Sequence, residues 1–244
     1  MKMSMVSLGC DKNTVDSEMM LGLMNDKGFE YTDIEEEAEI MIINTCGFIQ
    51  SAKEESINAI LEAARLKEEG ALKALIVTGC LAQRYKDEII KEIPEVDALL
   101  GTSSFDKIVE TVEDVLGGEI KNEFLDLDRL PSISNKRKNS TGGYYAYLKI
   151  AEGCNKNCTY CIIPSLRGNY RSYPMDDLIT QAKDLAVQGI KELILVAQET
   201  TLYGVDLYGE KSLPKLLKEL AKVDGIEWIR ILYCYPEEIT DELI

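Results

Sequence analysis

Continuous apolar runs of strand length alternate with helical patterns through the first hundred residues, and three of these runs end at a cysteine. The runs are residues 2–9, 38–47 and 71–80. A strand that is apolar at every position is typical of a parallel sheet covered on both faces. Strands that alternate with helices at this interval form right-handed crossovers, so the pattern predicts an α/β fold with an N-terminal open parallel sheet.

The other elements of this half follow the same alternation. Helices are predicted at residues 14–26, 51–70, 83–92 and 104–116, with a short strand at 96–100. Ser51 has Glu54 three residues later, which is the pattern of a capping box. Ser51 is therefore predicted to cap the second helix.

Cys10, Cys46 and Cys80 stand at equivalent places, each at the carboxyl end of a predicted strand and next to a glycine. The carboxyl ends of parallel strands share one edge of the sheet, where ligands bind in such folds. Three loops are therefore expected to bring three thiolates together, and the glycines leave backbone room near a bulky ligand. The simpler alternative is three unrelated buried cysteines that behave as small apolar residues.

Three further cysteines, Cys154, Cys158 and Cys161, lie within one stretch of eight residues. Soft thiolates at this spacing select an iron-sulfur cluster, zinc or Cu(I). A structural zinc site needs four closed ligands and the chain contains no histidine, so a zinc site or a disulfide loop is disfavoured. A cubane cluster held by three cysteines leaves one iron open, where a small molecule can be bound and activated.

The second half resumes the strand and helix alternation, which predicts the opening of a (β/α) barrel. Strands are predicted at residues 144–150, 192–198 and 227–233, and helices at 176–188 and 214–223. The site of such a fold is built from loops at the carboxyl ends of its strands, so the cysteine loop and residues 197–204 are expected to face one cavity. Gln198, Glu199 and Thr200 are placed to bind a cofactor amine or hydroxyl, although Glu199 fits a solvated loop acid equally well. Cys234 is predicted to pack as a small apolar residue.

The amino-acid composition limits the kinds of partner that the chain can bind. The chain has 43 acidic and 27 basic residues, a net charge of -16, which argues against nucleic acid and favours a basic protein partner. An acidic surface that only keeps the protein soluble is the alternative. No apolar run reaches membrane-spanning length and no signal peptide is recognised, so the chain is predicted to be cytoplasmic with reduced thiols.

Residues 125–143 are polar and basic without periodicity, and they are predicted to be an interdomain linker whose Lys136, Arg137 and Lys138 are solvated. Only about three strands of the second sheet are predicted after it, fewer than a complete barrel has. The second domain is therefore expected to be C-terminally truncated.

The loop YLKIAEGCNKNCTYCIIPSLRG, residues 147–168, resembles the cluster motif of the radical S-adenosylmethionine (SAM) superfamily, including an aromatic residue, Tyr160, before the last cysteine. With the first cysteine triplet also considered, the whole chain is similar to the methylthiotransferase family of that superfamily. VSLGCDKNTVDSEMMLG and AQETTLYG resemble the branch that modifies an aspartate of a small-subunit ribosomal protein. The branch that modifies adenosine in transfer RNA typically has Tyr-Thr-Arg-Gly in place of residues 165–168 and Gly-Gln-Asn in place of 197–199.

The resemblance implies a Rossmann-like methylthiotransferase domain at residues 1–124, the linker at 125–143, and a radical SAM domain at 144–244. It implies two 4Fe-4S clusters and SAM as cofactors. The auxiliary cluster would be held by Cys10, Cys46 and Cys80, and the radical cluster by Cys154, Cys158 and Cys161. Tyr160, Gln198 and Glu199 are the candidates for cofactor binding, and Arg167 is a further candidate polar group of the site.

The implied reaction is insertion of a methylthio group at the β-carbon of an aspartate. The implied partners are a basic small-subunit ribosomal protein and a reductant such as flavodoxin or ferredoxin. Three rivals stay open from the residues alone. They are methylthiolation of transfer RNA, an iron-sulfur protein that only carries electrons, and a structural zinc module.

Overall fold

The computed structural model describes residues 1–70, 72–133 and 137–244. It divides into two compact units, Met1–Lys138 and Asn139–Ile244. Among the described residues, no helix has both the length and the apolar character needed to cross a membrane.

The first unit is a parallel sheet with helices on both faces. Its elements in chain order are β1 (Lys2–Ser7), α1 (Asp11–Asp26), β2 (Glu30–Tyr31), β3 (Ile40–Thr45), α2 (Gln50–Glu68), β4 (Ala74–Gly79), α3 (Cys80–Glu92), β5 (Ala98–Leu100) and α4 (Ile108–Leu116). The strand order is β2-β1-β3-β4-β5, and all pairs are parallel. This is the flavodoxin-like order, in which the direction of winding changes between β1 and β3.

Burial explains why the apolar runs could be interpreted as strands. Every residue of β3 and β4 is buried, and α2 and α3 pack on one face of the sheet through a shared apolar cluster that includes Ile43, Ile60 and Leu81. The α/β fold with an open parallel sheet is confirmed.

The starts of the helices differ from the predictions. α1 begins at Asp11 and α3 at Cys80, each three residues earlier than its apolar periodicity indicates. The predicted cap at Ser51 is wrong, because α2 begins at Gln50 with Ile49 as its N-cap and no side-chain cap hydrogen bond. The helix begins one residue before Ser51, so the Ser51 hydroxyl lies inside the first turn and not at the N-cap.

The polar segment after α4 belongs to the first unit and bonds to the rest of it. Leu125 N donates to Ser104 Oγ at 3.1 Å, and Arg129 Nη1 donates to Asp106 Oδ1 at 2.8 Å. Arg137 is only 4% exposed and forms an ion pair with Glu18 of α1, so its predicted solvation is wrong. Glu18 is fully buried, and a buried carboxylate needs a cation beside it. Lys136 lies outside the described residues.

The second unit contains the first strands of a barrel. Its elements are β6 (Tyr145–Lys149), β7 (Ala151–Glu152), α5 (Ile163–Arg167), β8 (Arg171–Ser172), α6 (Met175–Val187), β9 (Glu192–Val196), α7 (Val205–Tyr208), α8 (Leu213–Leu220) and β10 (Trp228–Ile231). β6, β9 and β10 form a parallel sheet in the order β10-β9-β6, and β7 pairs antiparallel with β8.

Candidate metal centres

The first cysteine triplet lies at the carboxyl edge of the first sheet. Cys10 is the N-cap of α1, Cys80 is the first residue of α3, and Cys46 directly follows β3. The positive end of a helix favours a thiolate at its N-terminus. Cys10 and Cys46 flank the point between β1 and β3 where the sheet changes its direction of winding, which is the ligand crevice of this fold.

Close backbone contacts draw the three cysteines together. An added β-carbon on Gly9 would lie 2.6 Å from Cys46 Cβ, so the chain before Cys10 contacts the Cys46 side chain. An added β-carbon on Gly47 would lie 3.1 Å from the main-chain oxygen of Cys80. The chain segments that carry the three cysteines therefore lie in contact with one another.

The backbone of Cys46 and Gly47 is held by two side chains that sequence reasoning missed. Ser56 Oγ accepts a hydrogen bond from Cys46 N at 3.0 Å and donates one to Cys46 O at 3.0 Å. Arg84 Nη1 donates to Gly47 O at 3.1 Å. The signal for Ser56 was available, since it is a polar residue on the apolar face of a predicted helix.

The second triplet lies on a loop that leaves β7 and returns through β8. Cys154 N donates to Gly168 O at 3.2 Å, and Cys161 N donates to Cys158 O at 3.0 Å. Gly153 has φ +67°, and a β-carbon there would lie 2.0 Å from Asn169 O, so only glycine fits this closure.

The Cys154 thiol has a raised pKa, because it is buried and because Cys161, Glu199 and Cys158 place negative charge near it. The last strand residue of β9 is Val196, so Glu199 reaches this thiol from the next carboxyl-end loop. The charge of Glu199 therefore acts on Cys154, and a single cavity shared by the cysteine loop and residues 197–204 stays a prediction.

A cavity of about 370 Å³ opens beside Cys158 and Cys161. Tyr160 lines it, and its side chain is 85% exposed. Glu199 is buried and accepts a hydrogen bond from Thr201 N at 3.1 Å, so it is not a solvated loop acid. The Oε1 atom of Gln198 is buried without a hydrogen-bond partner among the residues that the structure describes.

Arg167 belongs to a buried ion cluster. Its Nη1 donates to Glu152 Oε2 at 3.0 Å, and Lys149 pairs with the other oxygen of the same carboxylate. Burial raises the pKa of Glu152, but the charges of Lys149 and Arg167 outweigh it and hold that pKa below its usual range. Arg167 therefore holds the base of the cysteine loop, because Glu152 is the strand residue paired with Arg171.

The segment after β10 meets the same loops. Lys156, two residues after Cys154, pairs with Glu238 and lies over the ring of Tyr235 at 4.1 Å. Lys156 and Lys211 hydrogen-bond to Glu238 and lower its pKa to about 2. Cys234 Sγ lies 3.5 Å from Thr200 Oγ1, so this cysteine also stands at the carboxyl edge.

Among residues 1–70, 72–133 and 137–244, no three His, Cys, Asp or Glu side chains are close enough to share a single metal ion. A 4Fe-4S cluster needs a different arrangement, because three of its irons would each take a separate thiolate and the fourth would stay open.

Comparisons with known proteins agree with this geometry. Residues 2–101 match the Uncharacterized protein family UPF0004, and residues 148–244 match the Radical SAM superfamily. A radical SAM methyltransferase, TsrM from Kitasatospora setae, solved with cobalamin and a [4Fe-4S] cluster bound, has a TM-score of 0.64 at 14% identity. That match covers 99% of this chain and 57% of TsrM. The cobalamin-dependent SAM radical enzyme OxsB has a TM-score of 0.60 at 13% identity, covering 93% of this chain and 38% of OxsB. These likenesses show the fold, and the two matched domains define a radical SAM protein.

Curated relatives narrow the class. The "Ribosomal protein uS12 methylthiotransferase RimO" of Lachnoclostridium phytofermentans is 65% identical over 244 residues, which is 100% of this chain and 56% of the relative. The protein of the same name from Clostridioides difficile is 52% identical over 250 residues, covering 100% of this chain and 55% of the relative. The chain belongs to the RimO-type radical SAM methylthiotransferases. It spans about half the length of these curated relatives.

Proposed function

We propose that the chain acts in inserting a methylthio group at the β-carbon of an aspartate in ribosomal protein uS12, with SAM and two 4Fe-4S clusters as cofactors. The observation that carries this proposal is that one chain has two cysteine triplets, each at the carboxyl edge of a parallel sheet. The names of relatives that are 65% and 52% identical support the substrate.

The residues present fit the cofactors. Cys10, Cys46 and Cys80 offer a purely thiolate donor set with two helix N-termini behind it, which suits the auxiliary cluster. The loop with Cys154, Cys158 and Cys161 offers a second such set beside an open cavity. When bound, the clusters and SAM supply hydrogen abstraction from an unactivated carbon and the sulfur to be inserted.

The side chains around the second triplet orient the cofactor. Gln198 has a buried carbonyl oxygen available to accept a hydrogen bond from the SAM amine, and Glu199 adds a buried negative charge beside it. Tyr160 lines the cavity and offers its exposed ring to a bound cofactor. Burial raises the pKa of the Cys154 thiol, so a cluster that binds there would have to displace the thiol proton, and acid would weaken its binding.

The partners belong to the same proposal. A net charge of -16 suits a basic ribosomal protein as substrate. A reductant such as flavodoxin or ferredoxin would supply electrons, and the reaction would be cytoplasmic.

The first experiment counts iron and acid-labile sulfide in anaerobically reconstituted chain, with low-temperature electron paramagnetic resonance (EPR) before and after SAM is added. Two cubane clusters give about eight irons per chain, and each of Cys46→Ala and Cys158→Ala should lose about four. Of these two variants, Cys46→Ala alone should keep the spectral response to SAM. Cys234→Ala is the matched control and should keep both clusters.

About four irons in the unmodified chain without a response to SAM would overturn the proposal and leave a single-cluster protein. The substrate is then tested by mass spectrometry of a uS12-derived peptide that carries the aspartate, with transfer RNA in a parallel reaction. Modification of the RNA alone would show that the chain belongs with the methylthiotransferases that act on transfer RNA.

A further inference from the structure

Asn13, in the first turn of α1, links the two strands that flank the ligand crevice. Its side chain is fully buried, and Nδ2 donates to Leu8 O at 2.9 Å and to Thr45 O at 2.9 Å. Leu8 lies two residues before Cys10, and Thr45 directly precedes Cys46. One amide therefore fixes the spacing between the chain segments that deliver two of the three thiols.

Asn44 extends this link to the segment that carries the third cysteine, Cys80. Its Nδ2 donates to Asn13 O at 2.9 Å and to Ser17 Oγ at 3.0 Å. On its other side, Asn44 Oδ1 lies 2.4 Å from where a β-carbon on Gly79 would stand, and Gly79 directly precedes Cys80. The two side chains together contact the backbone one or two residues before each of the three cysteines.

Both amides lie inside the crevice between β1 and β3. In flavodoxin-like folds this crevice is where a ligand binds. Here its base carries two neutral amides whose donors are used on main-chain and hydroxyl oxygens, so the base is fixed before any ligand arrives. A preorganised frame of this kind holds ligating side chains in place through their backbones.

We propose that Asn13 and Asn44 are positioning residues for the three thiolates Cys10, Cys46 and Cys80, and that they set the geometry of the auxiliary cluster. This inference rests on the proposed function of that triplet. The amides do not ligate iron. They hold the strand ends at the separation that a three-thiolate cluster site requires.

The test uses the 244-residue chain with Cys154, Cys158 and Cys161 replaced by alanine, so that only the auxiliary site can load. Asn13→Ala and Asn44→Ala are compared with Asn25→Ala, which removes an exposed asparagine from the other end of the same helix. Each variant is reconstituted with iron and sulfide, and iron content, EPR spectrum and circular dichroism are recorded.

We expect the parent and Asn25→Ala to bind about four irons per chain, and Asn13→Ala to bind at least about threefold less or to show a shifted EPR spectrum, with unchanged circular dichroism. Asn44→Ala should act in the same direction. A merely structural role would lower the unfolding midpoint of the apoprotein without moving the spectrum of the cluster that does load. If Asn13→Ala does not fold, Asn13→Ser, which keeps one hydroxyl donor, takes its place.

Two failures are distinguishable. If Asn13→Ala and Asn44→Ala fold and load a full cluster with the parent's spectrum, the positioning role is overturned and the proposed function stands. If the parent and Asn25→Ala also bind no iron, the auxiliary site itself is overturned.

Discussion

Gly9 lies against the side chain of Cys46, so closely that an added β-carbon would stand 2.6 Å from Cys46 Cβ and 2.9 Å from Cys46 Sγ. Gly9, which precedes Cys10, therefore packs directly against the side chain of Cys46. Its φ of +91° is a second reason for glycine, because other residues are strained there.

We expect Gly9→Ala to displace the Cys46 thiol and to remove iron from the first site while the second site still loads. Gly28→Ala is the matched control, because Gly28 has φ +89° and nothing within 4 Å of an added β-carbon. The unfolding free energy of the control should fall by only about 1–2 kcal/mol, the cost of placing alanine at positive φ, and the control should keep its iron. Iron content and denaturant unfolding measure both effects, and equal iron loss in the two variants would contradict the contact argument.

Ser56→Ala should destabilise the first unit more than Ser51→Ala does. Ser56 is fully buried, and its loss leaves Cys46 N and Cys46 O without their side-chain partner, which costs about 1–3 kcal/mol. Ser51 is exposed and does not cap the helix, so its replacement should stay within about 0.5 kcal/mol. Denaturant unfolding of both variants checks the ranking, and a loss of about 1 kcal/mol at Ser51 would restore the capping box.

Glu152→Gln should be strongly destabilising, because it leaves Lys149 and Arg167 buried beside a neutral amide. Breaking a buried ion pair in this way costs about 3–5 kcal/mol, whereas Glu219→Gln, which breaks an exposed pair with Lys222, should cost about 1 kcal/mol or less. Because the folded pKa of Glu152 is depressed, its contribution is complete above the ordinary carboxyl pKa and is lost as pH falls through the folded value. Unfolding measured at neutral and acidic pH should therefore show Glu152→Gln converging with the parent only in acid.

Glu238 should titrate near pH 2 in the parent, since Lys156 and then Lys211 hydrogen-bond to its carboxylate. Replacing Lys156 with methionine removes the larger of these causes, so the pKa of Glu238 should rise toward its ordinary value. Carboxyl carbon NMR through an acid titration measures this directly. Lys222→Met is the control and should leave Glu238 unmoved, and an unchanged titration in Lys156→Met would show that the two side chains do not meet in solution.

The sequence predicted the elements whose signal is local. β3 and β4 are uninterrupted apolar runs because both of their faces are covered, and that pattern needs no partner to recognise. Helix periodicity could not reveal that α3 begins at Cys80, because the first residues of that helix continue the apolar run of the strand. The place of Cys80 at a helix N-terminus therefore became visible only in the structure.

Long-range pairing explains the other differences. Arg137 is buried because Glu18 is, and these residues are 119 positions apart in the chain. Arg167 was expected as a polar group of the site, but Lys149 and Glu152 enclose it through contacts that depend on how β7 folds back on β8. Strands of two residues, such as β7 and β8, carry no periodicity that a sequence could display.

The register of β3 and β4 has a consequence for how this chain tolerates insertions. Thr45 pairs with Gly79, and the next residue in each strand's chain is a cysteine, so the sheet ladder itself keeps Cys46 and Cys80 side by side. One residue inserted within either strand would turn its cysteine to the opposite face of the sheet. The register of β3 against β4 therefore determines how Cys46 and Cys80 are placed. The 34 positions that separate these two cysteines along the chain do not.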